Sequence, residues 1–89
     1  MGAVLNLPKR LEGHALDPIK SQILSMRGHD LDLFGEEVER VNGLGVELLL
    51  ASFRTWREDG LTLRIVDPSH ALVEVFDRLN LNLGIGEAA

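Results

Sequence analysis

A chain of 89 residues can build one modest hydrophobic core but not a second lobe, so we expect a single domain. Its hydrophobic share of 45% is that of a folded globule, and its formal net charge of -5 argues against a nucleic-acid backbone as the main partner. The lack of cysteine excludes disulfides, thiolate metal sites and cysteine nucleophiles, and it fits a reducing compartment.

The first residues do not read as a targeting segment. Lys9 and Arg10 follow only a few apolar residues, which leaves no signal-peptide core and no stretch of membrane-spanning length. We therefore expect a soluble cytoplasmic protein without direct membrane insertion.

The first half of the chain predicts two short strands, a helix and a third strand. Residues 3–7 predict a strand, and residues 10–12 predict a short return strand, so a hairpin is expected to open the domain. Asp17 is the predicted N-cap of the first helix, with Pro18 at its first helical position. Residues 29–34 alternate between polar and apolar and predict the next strand.

The second half predicts the longest helix, a strand and a last helix. The long helix is expected over residues 43–58, and the strand over residues 61–66. Ser69 is the predicted N-cap of the last helix, and Asn80 suits a left-handed stop after it. The predicted inward-facing residues of this helix are Leu72, Val75, Phe76 and Leu79.

This order of elements predicts an α/β fold in which a small mixed β-sheet of about four strands packs against three to four helices. One domain is expected to span residues 1–89, with its core at about residues 3–81. Residues 82–89 are short, contain two glycines and predict a flexible tail.

The long helix has an apolar flank beside the turn at its start. At ~100° per residue, its predicted core face consists of Val46, Leu49, Phe53 and Trp56. Leu44 and Leu48 fall on a flank of that face, where each would gain roughly 1.5–3 kcal/mol if a partner covered it fully. The alternative is that another helix or the tail covers these leucines within the monomer. The candidate partner-binding residues are Asn42, Gly43, Leu44, Glu47 and Leu48.

Other patterns do not predict a chemical site. The three histidines His14, His29 and His70 lie far apart in the sequence and lack metal-ligand spacing, so we expect no metal. Ser69 has no base placed near it by the sequence and is explained as a helix cap. Residues 43–45 begin like a dinucleotide fingerprint, but Leu48 stands where the third glycine belongs. We therefore expect no enzyme activity and no cofactor.

Several segments resemble, in their order and spacing, a STAS domain, the module shared by sulfate transporters and anti-sigma factor antagonists. The resemblance covers residues 3–81 and is greatest to the short single-domain bacterial forms. The matching segments are Val38-Glu39-Arg40-Val41-Asn42-Gly43-Leu44-Gly45-Val46, Leu48-Leu49-Leu50, Trp56 to Gly60, Val66-Asp67-Pro68-Ser69 and Leu79-Asn80-Leu81.

The resemblance implies a non-enzymatic regulatory module that docks on a protein. In anti-sigma factor antagonists, the turn before the long helix reads roughly Asp-Ser/Thr-x-Gly-Leu, and a partner kinase phosphorylates the hydroxyl residue. Asn42 takes the Asp place here and Gly43 takes the Ser/Thr place, so the phosphorylatable hydroxyl is missing. The acidic residue that ends the preceding strand falls on Phe34, although Asp32 lies two positions earlier. We therefore predict docking that is constitutive or regulated through the partner.

The resemblance leaves three classes of partner. They are an anti-sigma factor or related signalling kinase, a chemotaxis or two-component complex, and the ATPase of a lipid-transporting ABC system that a small STAS subunit braces. The missing hydroxyl weakens the first class most. A nucleotide-binding or anion-binding domain is an alternative, because the long helix begins with free backbone N–H groups. Homodimerisation through the same leucines is also open.

Overall fold

The computed structural model describes residues 2–81, which form five short strands, one 3-10 turn and three helices. The elements are β1 (Ala3–Asn6), β2 (Arg10–Leu11), the 3-10 turn (Gly13–Ala15), α1 (Leu16–Ser25), β3 (Leu31–Phe34), β4 (Arg40–Val41), α2 (Gly43–Glu58), β5 (Leu63–Val66) and α3 (His70–Arg78). The predicted α/β class is confirmed.

The strands form two separate parallel sheets. One sheet has the order β1-β3-β5, with Ala3 opposite Leu31 and Leu31 opposite Leu63, and the other pairs β2 with β4. Parallel neighbours cannot be joined by a tight turn and need a crossover, which α1 supplies between β1 and β3 and α2 supplies between β3 and β5.

The sequence-based sheet prediction is therefore wrong in three respects. The main sheet has three strands rather than about four, and β4, which was not predicted, pairs with β2 in a second sheet. Both sheets are parallel rather than mixed, and β1 and β2 do not form a hairpin. The backbone hydrogen bonds show why the chain divides here. The Leu7 amide still donates to the Phe34 carbonyl at 2.8 Å, whereas the Lys9 carbonyl already accepts from the amides of Glu39 and Arg40. The chain thus moves from one parallel partner to another within three residues.

The core lies between the main sheet and the helices. Alternate residues of β3 and β5 are buried, as expected for strands that cover a core with one face. The buried apolar residues are Leu7, Leu11, Ile19, Ile23, Leu31, Leu33, Val38, Val46, Leu49, Trp56, Leu63, Ile65, Leu72 and Phe76. Within residues 2–81, no helix combines the length and the apolar character that a membrane crossing needs.

The predicted bounds of the long helix are confirmed, since α2 runs from Gly43 to Glu58. Of its predicted core face, Val46, Leu49 and Trp56 are buried and Phe53 is half-buried. The Trp56 indole is 1% exposed, and its Nε1–H donates to the His29 carbonyl at 2.7 Å. The far end of α2 is thereby fixed to the segment that leads into β3.

The predictions for the ends of the other two helices are partly confirmed and partly wrong. Ser69 caps α3 by accepting the Leu72 amide at 3.2 Å, and Asn80 adopts the left-handed conformation at φ 56°, so both predictions are confirmed. Asp17 is not the N-cap of α1, because the 3-10 turn runs directly into the helix and Ala15 is the N-cap residue. Asp17 lies in the first turn, and Pro18 is the third helical residue rather than the first. Leu79, predicted to face inward, is 49% exposed. The predicted tail at residues 82–89 lies outside the described residues.

Candidate functional site

The start of α2 is held in place by Asn42. Its side-chain Oδ1 accepts the Gly45 amide at 2.9 Å, and its carbonyl accepts the Val46 amide at 3.0 Å. Its own amide donates to the Leu11 carbonyl of β2 at 3.3 Å. Asn42 therefore caps the helix and ties it to the two-stranded sheet, which fixes the position of the residues that follow.

The two glycines at the start of α2 have different surroundings. A Cβ added to Gly45 would collide with the Leu11 carbonyl oxygen and would lie 3.0 Å from Val41 Cγ2, so close packing on β2 and β4 requires glycine there. A Cβ added to Gly43 would have no heavy atom within 4 Å, and Gly43 has the ordinary helical backbone with no positive φ. Packing within residues 2–81 thus explains Gly45 but not Gly43.

The two leucines of the predicted flank also differ. Leu44 is 61% exposed, whereas Leu48 is half-buried and packs against the core. Leu48 lies about 40° further round the helix, on the side of buried Ser52, so the protein covers much of it. Leu44 is therefore the leucine that a partner would gain most by covering.

The remaining predicted residues surround Leu44. Asn42, Gly43 and Glu47 are all exposed. We define the candidate surface as Asn42, Gly43, Leu44 and Glu47, with half-buried Leu48 at its border. It has one apolar side chain, one charge and a helix start, and α2 carries no acidic residue in its first turn.

The structure brings together a second group of residues that the sequence does not reveal. A cleft of about 270 Å³ lies between α3 and the β2–β4 pair, and it is lined by Glu12, Glu39, Arg40, Val41, Ala71, Glu74, Val75 and Arg78. These residues come from three distant stretches, so no local motif could have predicted the cleft. Its volume is below the roughly 300–1,000 Å³ of typical small-molecule sites.

The two ion pairs that form two hydrogen bonds each involve residues outside the candidate surface. Arg27 donates to both carboxylate oxygens of Asp59 at 3.0 and 3.1 Å, which raises the pKa of Arg27 and lowers the pKa of Asp59. Arg64 makes the same fork with Asp32, at 3.0 Å for each bond, and this hydrogen bond raises the pKa of Arg64. Both pairs join neighbouring elements of the fold.

The three histidines do not belong to any cluster of metal-ligand side chains in the described part of the chain. His70 lies one helical turn from Glu74, with 3.3 Å between its Nε2 and the carboxylate, and it is highly exposed. Within residues 2–81, no three residues of the His, Asp or Glu types come together in a way that could hold a metal ion.

Comparison of the chain with protein-family models and with curated proteins gives no match. Function is therefore inferred from the candidate surface and its chemistry.

Proposed function

We propose that this chain is a non-enzymatic regulatory module of the STAS type, which binds another protein through the candidate surface. The order of the matching segments supports this proposal, and so does the parallel α/β arrangement with a long helix after the Asn42 turn. The observation that carries it is the 61% exposure of Leu44 in the first turn of a helix that Asn42 caps.

Exposure alone does not distinguish Leu44 from other surface leucines, because single exposed apolar residues are common. Its surroundings do. Leu44 lies beside a capped turn with an exposed glycine, so a partner can reach both the side chain and the adjacent backbone. The cap means that little ordering of α2 is needed on binding, which lowers the entropic cost of docking.

Docking at this surface is not switched by phosphorylation of residue 43. A phosphate would add about -1.5 to -2 charge at the helix start, and Gly43 has no side chain to carry it. Phosphate detected by mass spectrometry on a nearby hydroxyl residue, such as Ser52 or Thr55, with a change in affinity, would contradict constitutive docking. Ser52 is buried, and its hydroxyl donates to the Leu48 carbonyl at 2.7 Å, which shields it from a kinase.

The test is a capture experiment with a matched pair of variants. Wild type, Leu44→Asp and Leu24→Asp are immobilised, exposed to lysate of the native organism and read by quantitative mass spectrometry. Leu24 is the control because it is a 49% exposed leucine on α1. A protein retained by wild type and Leu24→Asp but lost with Leu44→Asp supports the proposal. Equal retention by all three would place any binding surface elsewhere.

Leu48→Asp is not used in this test, because a carboxylate there would also disturb packing against the core. Loss of binding by that variant would not distinguish docking from misfolding. Circular dichroism of Leu44→Asp and Leu24→Asp should match the wild-type spectrum, since both replaced side chains are largely exposed.

The identity of the captured protein distinguishes the partner classes. A histidine-kinase-like or anti-sigma protein would indicate partner switching, a chemotaxis protein a signalling complex, and an ATPase of a lipid transporter a structural subunit. The alternative, a nucleotide-binding or anion-binding domain, predicts saturable heat in isothermal titration with nucleotides. We expect no such heat, because the exposed Glu47 and the net charge of -5 both oppose an anion.

A further inference from the structure

Asn42 and Gly43 form the only asparagine–glycine pair in the chain. Such a pair is chemically reactive, because the main-chain nitrogen after an asparagine can attack its side-chain carbonyl carbon, and glycine has no side chain to hinder the approach. The other asparagines, Asn6, Asn80 and Asn82, all precede leucine. The sequence therefore contains one strong candidate for this reaction.

The attacking nitrogen of Gly43 is free, unlike its counterparts after two of the other asparagines. The Leu7 amide, which follows Asn6, donates to a β3 carbonyl at 2.8 Å, and the Leu81 amide, which follows Asn80, donates to an α3 carbonyl at 2.8 Å. Within residues 2–81, the Gly43 amide has no hydrogen-bond acceptor, as expected for the first residue of a helix. Of these three nitrogens, only that of Gly43 can react without breaking a hydrogen bond.

The Asp59–Gly60 pair provides an internal comparison, because aspartate before glycine can form the same ring. The Gly60 amide donates to an α2 carbonyl at 3.0 Å, and the Asp59 carboxylate accepts two hydrogen bonds from Arg27. The bond from Arg27 lowers the pKa of Asp59, so the group stays ionised, and a carboxylate is a poor target for a nucleophile. Asn42 is uncharged, and the nitrogen after it is free.

The surroundings of Asn42 favour the charge that the attack creates. The Gly45 amide donates to Asn42 Oδ1 at 2.9 Å, and Oδ1 is the atom that becomes negative when the nitrogen bonds to Cγ. The positive end of the α2 dipole lies at the same place, and α2 has no acidic residue in its first turn. Both Asn42 and Gly43 are exposed, and a Cβ added to Gly43 would have no heavy atom within 4 Å. A ring therefore has room to form, and water can reach it.

We propose that Asn42 is a site of spontaneous modification in the folded protein. The Gly43 nitrogen loses its proton and bonds to Asn42 Cγ, the bond from Cγ to the side-chain nitrogen breaks, and ammonia leaves with that proton. The resulting five-membered succinimide adds water, and opening at either carbonyl gives aspartate or isoaspartate. One water is consumed and one ammonia is released, so no further reactant is needed. This inference does not rest on the proposed function, and its test needs no partner.

The two products have different consequences for α2. Aspartate keeps an oxygen that accepts the Gly45 amide, and its negative charge is favourable at a helix start. Isoaspartate has an additional methylene in the main chain and so displaces its carboxylate from the cap position. It also lengthens the chain between the helix and the Leu11 carbonyl, to which the Asn42 amide donates at 3.3 Å. Both products place a new negative charge on the candidate surface, and isoaspartate also weakens the start of the helix.

The test follows residue 42 in the intact protein. Wild type and Gly43→Ala are incubated at mildly alkaline pH below the unfolding midpoint, then digested and mapped by mass spectrometry that distinguishes aspartate from isoaspartate. Gly43→Ala is the matched variant, because its methyl group meets open space in the fold but hinders ring closure. Asn6 is the internal control in each sample. A wild-type sample in urea gives the rate of the unfolded chain.

The expected result is conversion of Asn42 to a mixture of aspartate and isoaspartate. It should be at least about tenfold faster than conversion of Asn6, and Gly43→Ala should slow it by about tenfold or more. The rate in the folded protein should lie within about tenfold of the rate in urea, since no internal hydrogen bond of Gly43 must break. No isoaspartate should form at Asp59.

The separated products give a second readout by thermal unfolding. The aspartate product should unfold at the same temperature as purified Asn42→Asp, because the two are chemically identical. The isoaspartate product should unfold at a lower temperature, since it loses the cap on the Gly45 amide. An isoaspartate product as stable as wild type would overturn the predicted weakening of the helix start.

Contrary results at residue 42 are equally distinct. Aspartate without isoaspartate, or equal rates in wild type and Gly43→Ala, would indicate direct hydrolysis and overturn the ring. Equal rates at Asn42 and Asn6, or isoaspartate at Asp59 as fast as at residue 42, would overturn the role of the free nitrogen. An unchanged Asn42 in the folded protein, with conversion in urea, would show that the cap protects it and overturn the inference. The capture experiment tests the proposed function separately.

Discussion

The two ends of α2 differ in how much of each end is buried and hydrogen-bonded to the rest of the protein. The C-terminal end is closed: Trp56 is buried, its indole donates to the His29 carbonyl, and Asp59 forms a two-bond ion pair with Arg27 of the α1–β3 connection. The N-terminal end, which we call the open end, is capped and tied to β2 by Asn42 and packs against β2 through Gly45, but its first two residues, Gly43 and Leu44, are exposed. The C-terminal end of α2 therefore stabilises the fold, while the N-terminal end leaves exposed residues that a partner can contact.

The largest expected loss of stability comes from a substitution at the closed, C-terminal end of α2. Trp56→Ala removes a fully buried indole together with its hydrogen bond, so we expect a loss of about 3–5 kcal/mol in the free energy of unfolding. Leu44→Ala at the open end should change it by less than about 0.5 kcal/mol. Urea titration followed by far-ultraviolet circular dichroism measures both. Similar losses for the two variants would contradict the contrast between the ends.

The two glycines sharpen the comparison within the first turn. Gly45→Ala should destabilise by about 1–3 kcal/mol, because its Cβ collides with a β2 carbonyl that cannot move without disturbing the sheet. Gly43→Ala should stabilise by about 0.4–1 kcal/mol, since the added methyl group meets open space and restricts the unfolded chain. Opposite signs in calorimetric unfolding are expected, and a loss of stability in both variants would show that Gly43 has an internal role.

Substitutions of Asn42 test how much the helix cap stabilises the open end of α2. Asn42→Ala removes the acceptor of the Gly45 amide, and we expect a loss of about 1 kcal/mol. Asn42→Asp keeps an acceptor and adds a negative charge at the helix start, so it should retain most of the wild-type stability. If alanine and aspartate are equally destabilising, the hydrogen bond to Gly45 does not support the helix.

The smallest expected effect is that of the Arg27–Asp59 pair. The hydrogen bond from Arg27 lowers the pKa of Asp59, so the native state favours the ionised carboxyl. Its contribution is present above the unfolded-state pKa of about 4 and is lost as the pH falls through the lower folded-state pKa. Asp59→Asn should therefore show a slightly flatter acid limb in its stability profile than wild type. The difference should shrink in high salt, because the pair is solvent-exposed.

Local signals in the sequence were sufficient for much of the fold. The bounds of α2, the Ser69 cap and the left-handed Asn80 follow from neighbouring residues, and these predictions are confirmed. Strand pairing depends on distant residues. Nothing in residues 3–12 indicates that β1 and β2 take separate parallel partners, because those partners lie roughly thirty residues further on.

The candidate surface was likewise predicted from local signals only in part. The turn at Asn42 and the position of Leu44 on the flank of the α2 core face could be predicted from turn chemistry and helical periodicity. The sequence left open whether Leu44 and Leu48 are covered, because a rotation of about 40° decides whether a side chain at the edge of a helix face is buried. The α3 cleft depends on three distant stretches and lies outside any sequence window.

The hydrogen bond from Trp56 to the His29 carbonyl has a practical consequence for measuring this protein. Trp56 is the only tryptophan in the chain, so its fluorescence reports one defined and buried environment. It lies twelve residues from Leu44, about 18 Å along the helix axis. Its emission should shift to longer wavelength when the fold opens and stay nearly constant when a partner docks at Leu44. The same sample can therefore report unfolding by fluorescence and binding by calorimetry, with little interference between the two signals.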